Sequence, residues 1–305
     1  MRVLNFGSIN IDHVYHVDHI VRLGETLNSY KKDTFIGGKG LNQSIAIARS
    51  GVKVFHAGKI GYDGEFILDI MKDSGVDTRF VGIDFNNFTG NAIIQKDICG
   101  NNSIILNNSV NHQISIENIE IVLEQFKEGD LIILQNEINN IPYLINRSYE
   151  KDLKIVFNPA PITKDIKEYP LEKVDYLIIN EIEAMGILNK SNLSEDELVY
   201  ELSNKFKTTK IVLTLGEKGA IFIGDNIIYT KAFSVNTVDT TAAGDTFIGY
   251  LVKGIINDYP IKNMLKLASG AAALSVTKLG AEPSIPKIEE VNKFIEEKGE
   301  ENEIL

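Results

Sequence analysis

Six apolar runs bounded by turn residues recur along this chain: "RVLNFGSI", "VKVFHAGKI", "LIILQNEI", "LKIVFNPA", "VDYLIIN" and "KIVLTLG". Most are near-continuous in Val, Ile and Leu rather than alternating. Strands that read this way are covered on both faces, as in a parallel sheet. Between them lie helix-like segments at residues 41–50, 65–74 and 116–127. Gly51, Gly75 and Gly129 stand just past these, where a left-handed C-terminal cap is usual. Ser194 followed by Glu197 has the form of a capping box and marks another helix start. Strands alternating with helices imply a doubly wound α/β sheet.

Two stretches break the rhythm. Residues 11–35 and roughly 88–108 read as polar-facing strands, the second with a turn at "CGNN", 99–102. They pair, on this reading, into a small sheet outside the main one. A length of 305 residues suggests about two domains, or one large α/β unit with an elaboration. No internal repeat, low-complexity tract or Pro/Ser-rich linker marks a second autonomous domain. The expectation is therefore one unit over 1–305 with an inserted sheet. The acidic tail "EEKGEENEIL" is expected to fray after the last helix.

Composition narrows the function classes. A net charge of -11 argues against a sequence-independent grip on nucleic acid, which needs clustered Lys and Arg. An anionic ligand must then be held locally, against the overall field. No apolar run approaches the roughly 20 residues of a membrane span. The start "MRVLNFGSIN" lacks the features of a secretory signal, and the single Cys99 excludes an intramolecular disulfide framework. A cytoplasmic location is the expectation.

Three clusters can carry chemistry. In "TVDTTAAGDTF", residues 237–247, Ala242, Ala243 and Gly244 fall where a loop becomes a helix. Unpaired N–H groups at a helix N-terminus, flanked by small residues, can cradle a phosphate. Asp245, on the first turn, suits a base that takes a proton from a substrate hydroxyl, or simply a complement to the helix dipole. In "FIGGKGLNQ", Gly37, Gly38 and Gly40 let backbone approach a ligand, with Lys39 and Asn42 in reach. This is neither a Walker A loop nor a dinucleotide fingerprint. In "IINEIEA", Asn180 and Glu183 offer oxygen donors that suit Mg²⁺, or form a helix cap with a solvated glutamate. "VLTLGEKGA", including Thr214 to Gly219, adds a strand and a glycine turn that could wall a nucleotide. His13, His16 and His19 do not read as a metal site, because their spacing alternates faces of a strand and no further ligand is placed to help.

The order of these clusters resembles the ribokinase family of the phosphofructokinase-B superfamily of carbohydrate kinases. The resemblance runs almost end to end, through "GSINID", "GGKGLNQ", "QNE", "NPAP", "NEIE", "TLGEKG", "VDTTAAGDTF" and "GAEPSIP". It implies a three-layer α/β/α Rossmann-type sheet whose inserted strands form a lid over the sugar, with two lids pairing into a homodimer. It implies ATP-dependent phosphorylation of D-ribose at O5, with ATP, Mg²⁺ and K⁺. Asp245 would be the base, and the N–H groups of Ala242, Ala243 and Gly244 an anion hole. Asn10, Asp12, Gly38, Lys39, Gly40, Asn42 and Glu137 match the sugar-binding positions. Asn180 and Glu183 match the Mg²⁺-linked motif, while Thr214, Leu215, Gly216, Glu217, Lys218, Gly219 and Ser269 match the ATP pocket. Asp239, Thr241, Ser275, Lys278, Gly280 and Ser284 match the positions that hold the monovalent cation, in part through backbone oxygens. Differences from the family pattern lie at "NNSVNHQI", where a Gly-Ala-Asn segment is common, at Ser269, where Asn is common, and before "GET".

Overall fold

The computed structural model describes residues 1–302. The chain begins with β1 (Val3–Phe6), β2 (Asn10–Val17), β3 (Lys31–Gly37), α1 (Lys39–Arg49), β4 (Val54–Gly61), α2 (Glu65–Asp73) and β5 (Val76–Asp84). It continues through β6 (Gly90–Asp97), β7 (Asn102–Asn107), α3 (Ile116–Leu123), β8 (Leu131–Gln135), α4 (Ile141–Glu150) and β9 (Lys154–Asn158). Then follow β10 (Tyr176–Asn180), α5 (Glu181–Leu188), α6 (Glu195–Lys205), β11 (Lys210–Thr214), β12 (Ala220–Ile223) and β13 (Ile227–Thr230). The last helices are α7 (Ala243–Ile256), α8 (Ile261–Ser275) and α9 (Ile288–Asn302).

The main sheet has nine strands in the order β13-β12-β11-β10-β9-β8-β1-β4-β5. From β5 to β11 all neighbours are parallel; β12 and β13 extend one edge in antiparallel fashion. Successive residues of a strand point to opposite faces, so one run feeds two cores. In β8, Leu131 and Ile133 join the core under α1, α2, α7, α8 and α9, whereas Ile132 and Leu134 join the core under α3 to α6. This is the expected three-layer arrangement, and it explains why the runs carry no alternation. A second sheet, in the order β3-β2-β6-β7, grows from the end of β1. Its central pair, β2 and β6, is parallel, and residues 18–30 form no strand.

Three boundaries differ from expectation. The third helix stops at Leu123 instead of 127, because the Asp130 carboxylate accepts the Lys127 N–H and a turn replaces the last helical bonds. The stretch "IIYTKAFSV", residues 227–235, reads as strand-like, yet β13 ends at Thr230, opposite Ala220. Four-residue β12 offers no ladder beyond that pair, and residues 231–240 run on as a loop. At the other end, α9 continues to Asn302 through much of the acidic stretch, and residues 303–305 lie outside the described residues. Gly51 and Gly75 do take positive φ after α1 and α2, as the cap pattern requires.

Candidate active site

Four parallel strands end in polar residues at one edge: β8 in Gln135, β9 in Asn158, β10 in Asn180 and β11 in Thr214. The carboxyl edge of parallel strands is where open α/β sheets bind ligands. Helix α7 points its N-terminus at this edge. Ala242 precedes it in the left-handed conformation, φ 60°, and no side chain caps it. First-turn N–H groups have no partner inside a helix, and the helix dipole is positive there. A Cβ at Gly244 would meet nothing within 4 Å, so glycine at that position keeps space open rather than relieving a clash within the protein.

Gly249 does the opposite. A Cβ there would lie 2.4 Å from the Ala46 side chain, so the small residue lets α7 press against α1. That contact brings two amides of α1 to Asp245. Asn42 donates to Oδ2 and Gln43 to Oδ1, both at 3.0 Å. Asp245 is thus buried, 8% exposed, with each carboxylate oxygen held by a different side chain. A mere dipole complement would not need to be gripped from a second helix.

On one side of Asp245 lie the expected sugar positions. Glu137 accepts from the Ser8 hydroxyl at 2.5 Å and from the Lys39 N–H at 2.9 Å. Asn10 Oδ1 accepts from Asn111 at 2.8 Å, and Asn111 also clasps the Ile9 backbone. The Asn42 Oδ1 atom is buried without a partner, an acceptor available to a ligand hydroxyl. Gly38, at φ 92°, caps α1; Gly40 packs against Gly7 and Ser8, where a Cβ would lie 2.4 Å from the Ser8 nitrogen.

Electrostatics here are tightly coupled. Burial, and then the nearby Glu137 charge, push Asp12 up to about 7. Burial likewise raises Glu137, partly offset by Lys39 and Ser8. Burial would lower the Lys39 ammonium, but Asp245, Glu137 and Glu183 more than offset it and hold it above its ordinary value. One cation therefore serves three carboxylates around the edge.

A small cavity of about 210 Å³ sits beside Asp245, lined by Lys39, Asn158, Asn180, Glu183, Thr214 and the α7 N-terminus, among others. It shares Thr214, Thr240, Ala243 and Gly244 with a larger cleft of about 880 Å³. Thr214, Gly216, Glu217, Lys218, Gly219 and Ser269 come together in the wall of that cleft. Leu215 does not; its side chain is buried in the core under α3 to α6. Asn180 and Glu183 form a complete capping box on α5. Glu183 is 8% exposed rather than solvated, so the cap is real and its acid still lines the small cavity.

Asp239 anchors the loop before α7. Its Oδ1 accepts from the Thr241 N–H and hydroxyl, and its Oδ2 from the Gly280 N–H at 3.3 Å. Burial pushes Asp239 up, yet these donors, with Lys96 of β6 at 4.0 Å, bring it below the ordinary carboxylate range. Ser275, the last residue of α8, and Ser284 are buried and donate to the Ala272 and Ala281 carbonyls. The Lys278 ammonium turns instead to Glu290 on α9, so only its backbone remains for the loop. Among the described residues no three His, Cys, Asp or Glu side chains gather as a metal cluster. His13 lies 3.5 Å from the Thr34 hydroxyl, while His16 pairs with Asp33 and His19 with Glu25.

Several site residues were not singled out from sequence. Gln43 and Gln135 were inside quoted motifs without a role; Ser8 sits within "GSINID". Asn111 lies in "NNSVNHQI", the stretch that departs from the family pattern, and it nonetheless supplies an amide to the site. The loop residues Phe233, Ser234 and Val235, beyond the end of β13, also wall the large cleft.

Residues 2–288 match the pfkB family of carbohydrate kinases. The ribokinase of Haemophilus influenzae is 33% identical over 300 residues, covering 95% of this chain and 97% of that protein. The deoxyribokinase of Salmonella typhi is 29% identical over 303 residues, covering 97% and 99%. The structure of Arabidopsis thaliana ribokinase complexed with ribose and ATP superposes with a TM-score of 0.86 at 25% identity, covering 96% of this chain and 98% of that one.

Proposed function

Since the chain belongs to the pfkB family of carbohydrate kinases and is a phosphotransferase of that family, we propose that it transfers the γ-phosphoryl group of ATP to O5 of D-ribose. The observation that carries this reading is the position of Asp245. It lies where the polar sugar-side residues meet the cleft that leads to the glycine turn, at the mouth of an uncapped helix.

In the proposed reaction Asp245 accepts the proton of the 5-hydroxyl as its oxygen bonds to the γ-phosphorus. The bond from that phosphorus to the β-γ bridging oxygen breaks, and ADP leaves. N–H groups at the start of α7 stabilise the charge on the transferring phosphoryl oxygens, a preorganised effect of the kind that usually dominates phosphoryl transfer. Lys39 adds positive charge on the same side. Asp12, Asn10, Asn42 and Glu137 orient the sugar; a hydroxyl contact left unmade in a buried site costs about 1–3 kcal/mol. The β2-β3-β6-β7 sheet would act as a lid that excludes water from the phosphoryl group. Its apolar, exposed Ile93 and Ile105 lie directly opposite each other, which supports pairing of two lids in a homodimer.

Two ions fit the donor set. Asn180 and Glu183 offer hard oxygens to a hydrated Mg²⁺, and because both carboxylate oxygens already accept from Asn180, contact through water fits better than direct ligation. Mg²⁺ would neutralise charge on the ATP phosphates. Asp239, with backbone oxygens of the 278–280 turn, fits a K⁺ that stiffens the loop leading into α7. Replacing K⁺ by Na⁺ is expected to lower kcat several-fold at constant ionic strength; equal rates with both ions would remove this site from the account.

A pH effect follows from Asp12. Its proton is held up to about 7, and the ionised carboxylate accepts at both oxygens, whereas the neutral acid turns one of them into a donor. Below that pH the group is neutral, so the KM for sugar is expected to rise as pH falls from 8 to 6 while the KM for ATP changes little. Initial-rate measurements across that range test it, and a flat sugar KM would sever Asp12 from sugar binding.

ADP release measured with D-ribose and 2-deoxyribose as acceptors tests the substrate. The similarity to a deoxyribokinase makes 2-deoxyribose the second acceptor to weigh.

A further inference from the structure

We propose that Gln43 is a positioning residue for Asp245, held in its working orientation by a buried chain that runs back through Gln135, Asn5 and Ser44 to His56. This rests on the reading of Asp245 as the base.

The chain has a fixed direction. Gln43 Nε2 donates to Asp245, and its Oε1 accepts from Gln135 Nε2 at 2.7 Å. Gln135 Nε2 also donates to Asn5 Oδ1 at 2.9 Å, so the Asn5 amide must present Nδ2 to Ser44 Oγ, 2.9 Å away, and to the Gly40 carbonyl. With its oxygen accepting from Asn5, the Ser44 hydroxyl hydrogen turns to His56 Nδ1 at 2.8 Å. That nitrogen must be a bare acceptor. A neutral ring with its proton on Nε2 meets that need: complete burial pushes His56 down to about 3 and keeps the imidazole neutral, and the Ser44 hydroxyl selects the tautomer. A carboxylate at one end and a neutral histidine at the other thus fix the orientation of each amide, with Gln135 Oε1 and His56 Nε2 left without a partner.

All five residues behind Asp245 are 0% exposed. A row of buried amides is costly unless satisfied, and apolar residues of the same volume would fill a core at least as well. Space for the chain is also reserved: a Cβ at Gly7 would lie 2.1 Å from Gln135 Oε1. Asn42, the other donor to Asp245, sits at the sugar side with its own oxygen unpartnered, so it is free to respond to ligand. Gln43 alone ties the base to the rigid centre of the sheet.

The test compares Gln43→Met, Gln43→Glu, Gln135→Met and Asp245→Asn with the unaltered protein. Gln43→Met removes the donor at similar volume and is expected to lower kcat by about ten- to a hundredfold, the scale of one hydrogen bond to a charged group. The KM values for sugar and ATP should stay within about twofold. Gln135→Met should give the same pattern more weakly. Gln43→Glu sets a second carboxylate against Asp245, within a site whose other charged groups are Lys39, Glu137, Glu183 and Asp12, the last titrating alike in the unaltered protein and the variant. Two such carboxylates share a proton readily. Its rate, relative to the unaltered protein, should therefore rise as pH falls from 9 to 6, while the Gln43→Met deficit stays level. A kcat unchanged in Gln43→Met, a KM rising in step with any loss, or no pH trend in Gln43→Glu would overturn the inference. An Asp245→Asn variant that keeps its rate would instead overturn the reading of the base itself.

Discussion

Asp245→Asn is expected to lower turnover by about a thousandfold while sugar binding stays within a few-fold of the unaltered protein. General base catalysis contributes typically about 10²–10⁴-fold, and an amide cannot take the hydroxyl proton. The substitution preserves volume, but the new amide nitrogen must face an existing donor, since Asn42 and Gln43 each donate to one carboxylate oxygen. The proposed sugar contacts of Asn10, Asp12 and Glu137 lie on other elements, so calorimetric titration should still detect binding. Steady-state rates with saturating sugar and Mg·ATP provide the other half of the comparison. Turnover within tenfold of the unaltered protein would remove Asp245 as the base.

Lys39→Met is the second large effect. It should cost about a hundredfold in kcat, in the range found when one charge-stabilising donor is removed from an active site. It should also destabilise the fold, because Asp245, Glu137 and Glu183 would lose the cation they share. Removing one member of a buried charge cluster leaves the others uncompensated. The pH dependence gives the sign. Burial raises the Glu137 and Glu183 carboxyls above their ordinary values, so on acidification they take up protons early and the repulsion fades. The drop in Tm caused by Lys39→Met should accordingly be larger at pH 8 than at pH 5.5. An equal drop at both values, or an unchanged kcat, would contradict this account of the site.

Much of this is legible in local sequence because its causes are local. Strands β8, β9, β10 and β11 are rich in Val, Ile and Leu without alternation, which is how strands covered on both faces read. Gly51 and Gly75 stop α1 and α2 through their own backbone freedom. Asp245, Lys39, Asn180 and Glu183 stand at loop-to-helix junctions, where exposed helix ends attract chemistry.

What was not legible depends on partners far away in the chain. The end of α3 is set by Asp130, and the end of β13 by the shortness of β12. Gln43 and Gln135 are unremarkable in sequence; their meaning comes from a hydrogen bond spanning 92 residues. Leu215 sits inside a glycine turn that lines the cleft, yet faces the core because alternate residues of the preceding strand do. Motif membership places a residue near a site without saying which way it points.

The most direct measurement is sugar-dependent ADP release from Mg·ATP in K⁺ buffer, with D-ribose, 2-deoxyribose, fructose and adenosine compared at equal concentration. The account predicts that D-ribose gives the highest kcat/KM and that its product carries phosphate on O5. Preference for adenosine, or no sugar-dependent ADP release from any acceptor, would contradict it.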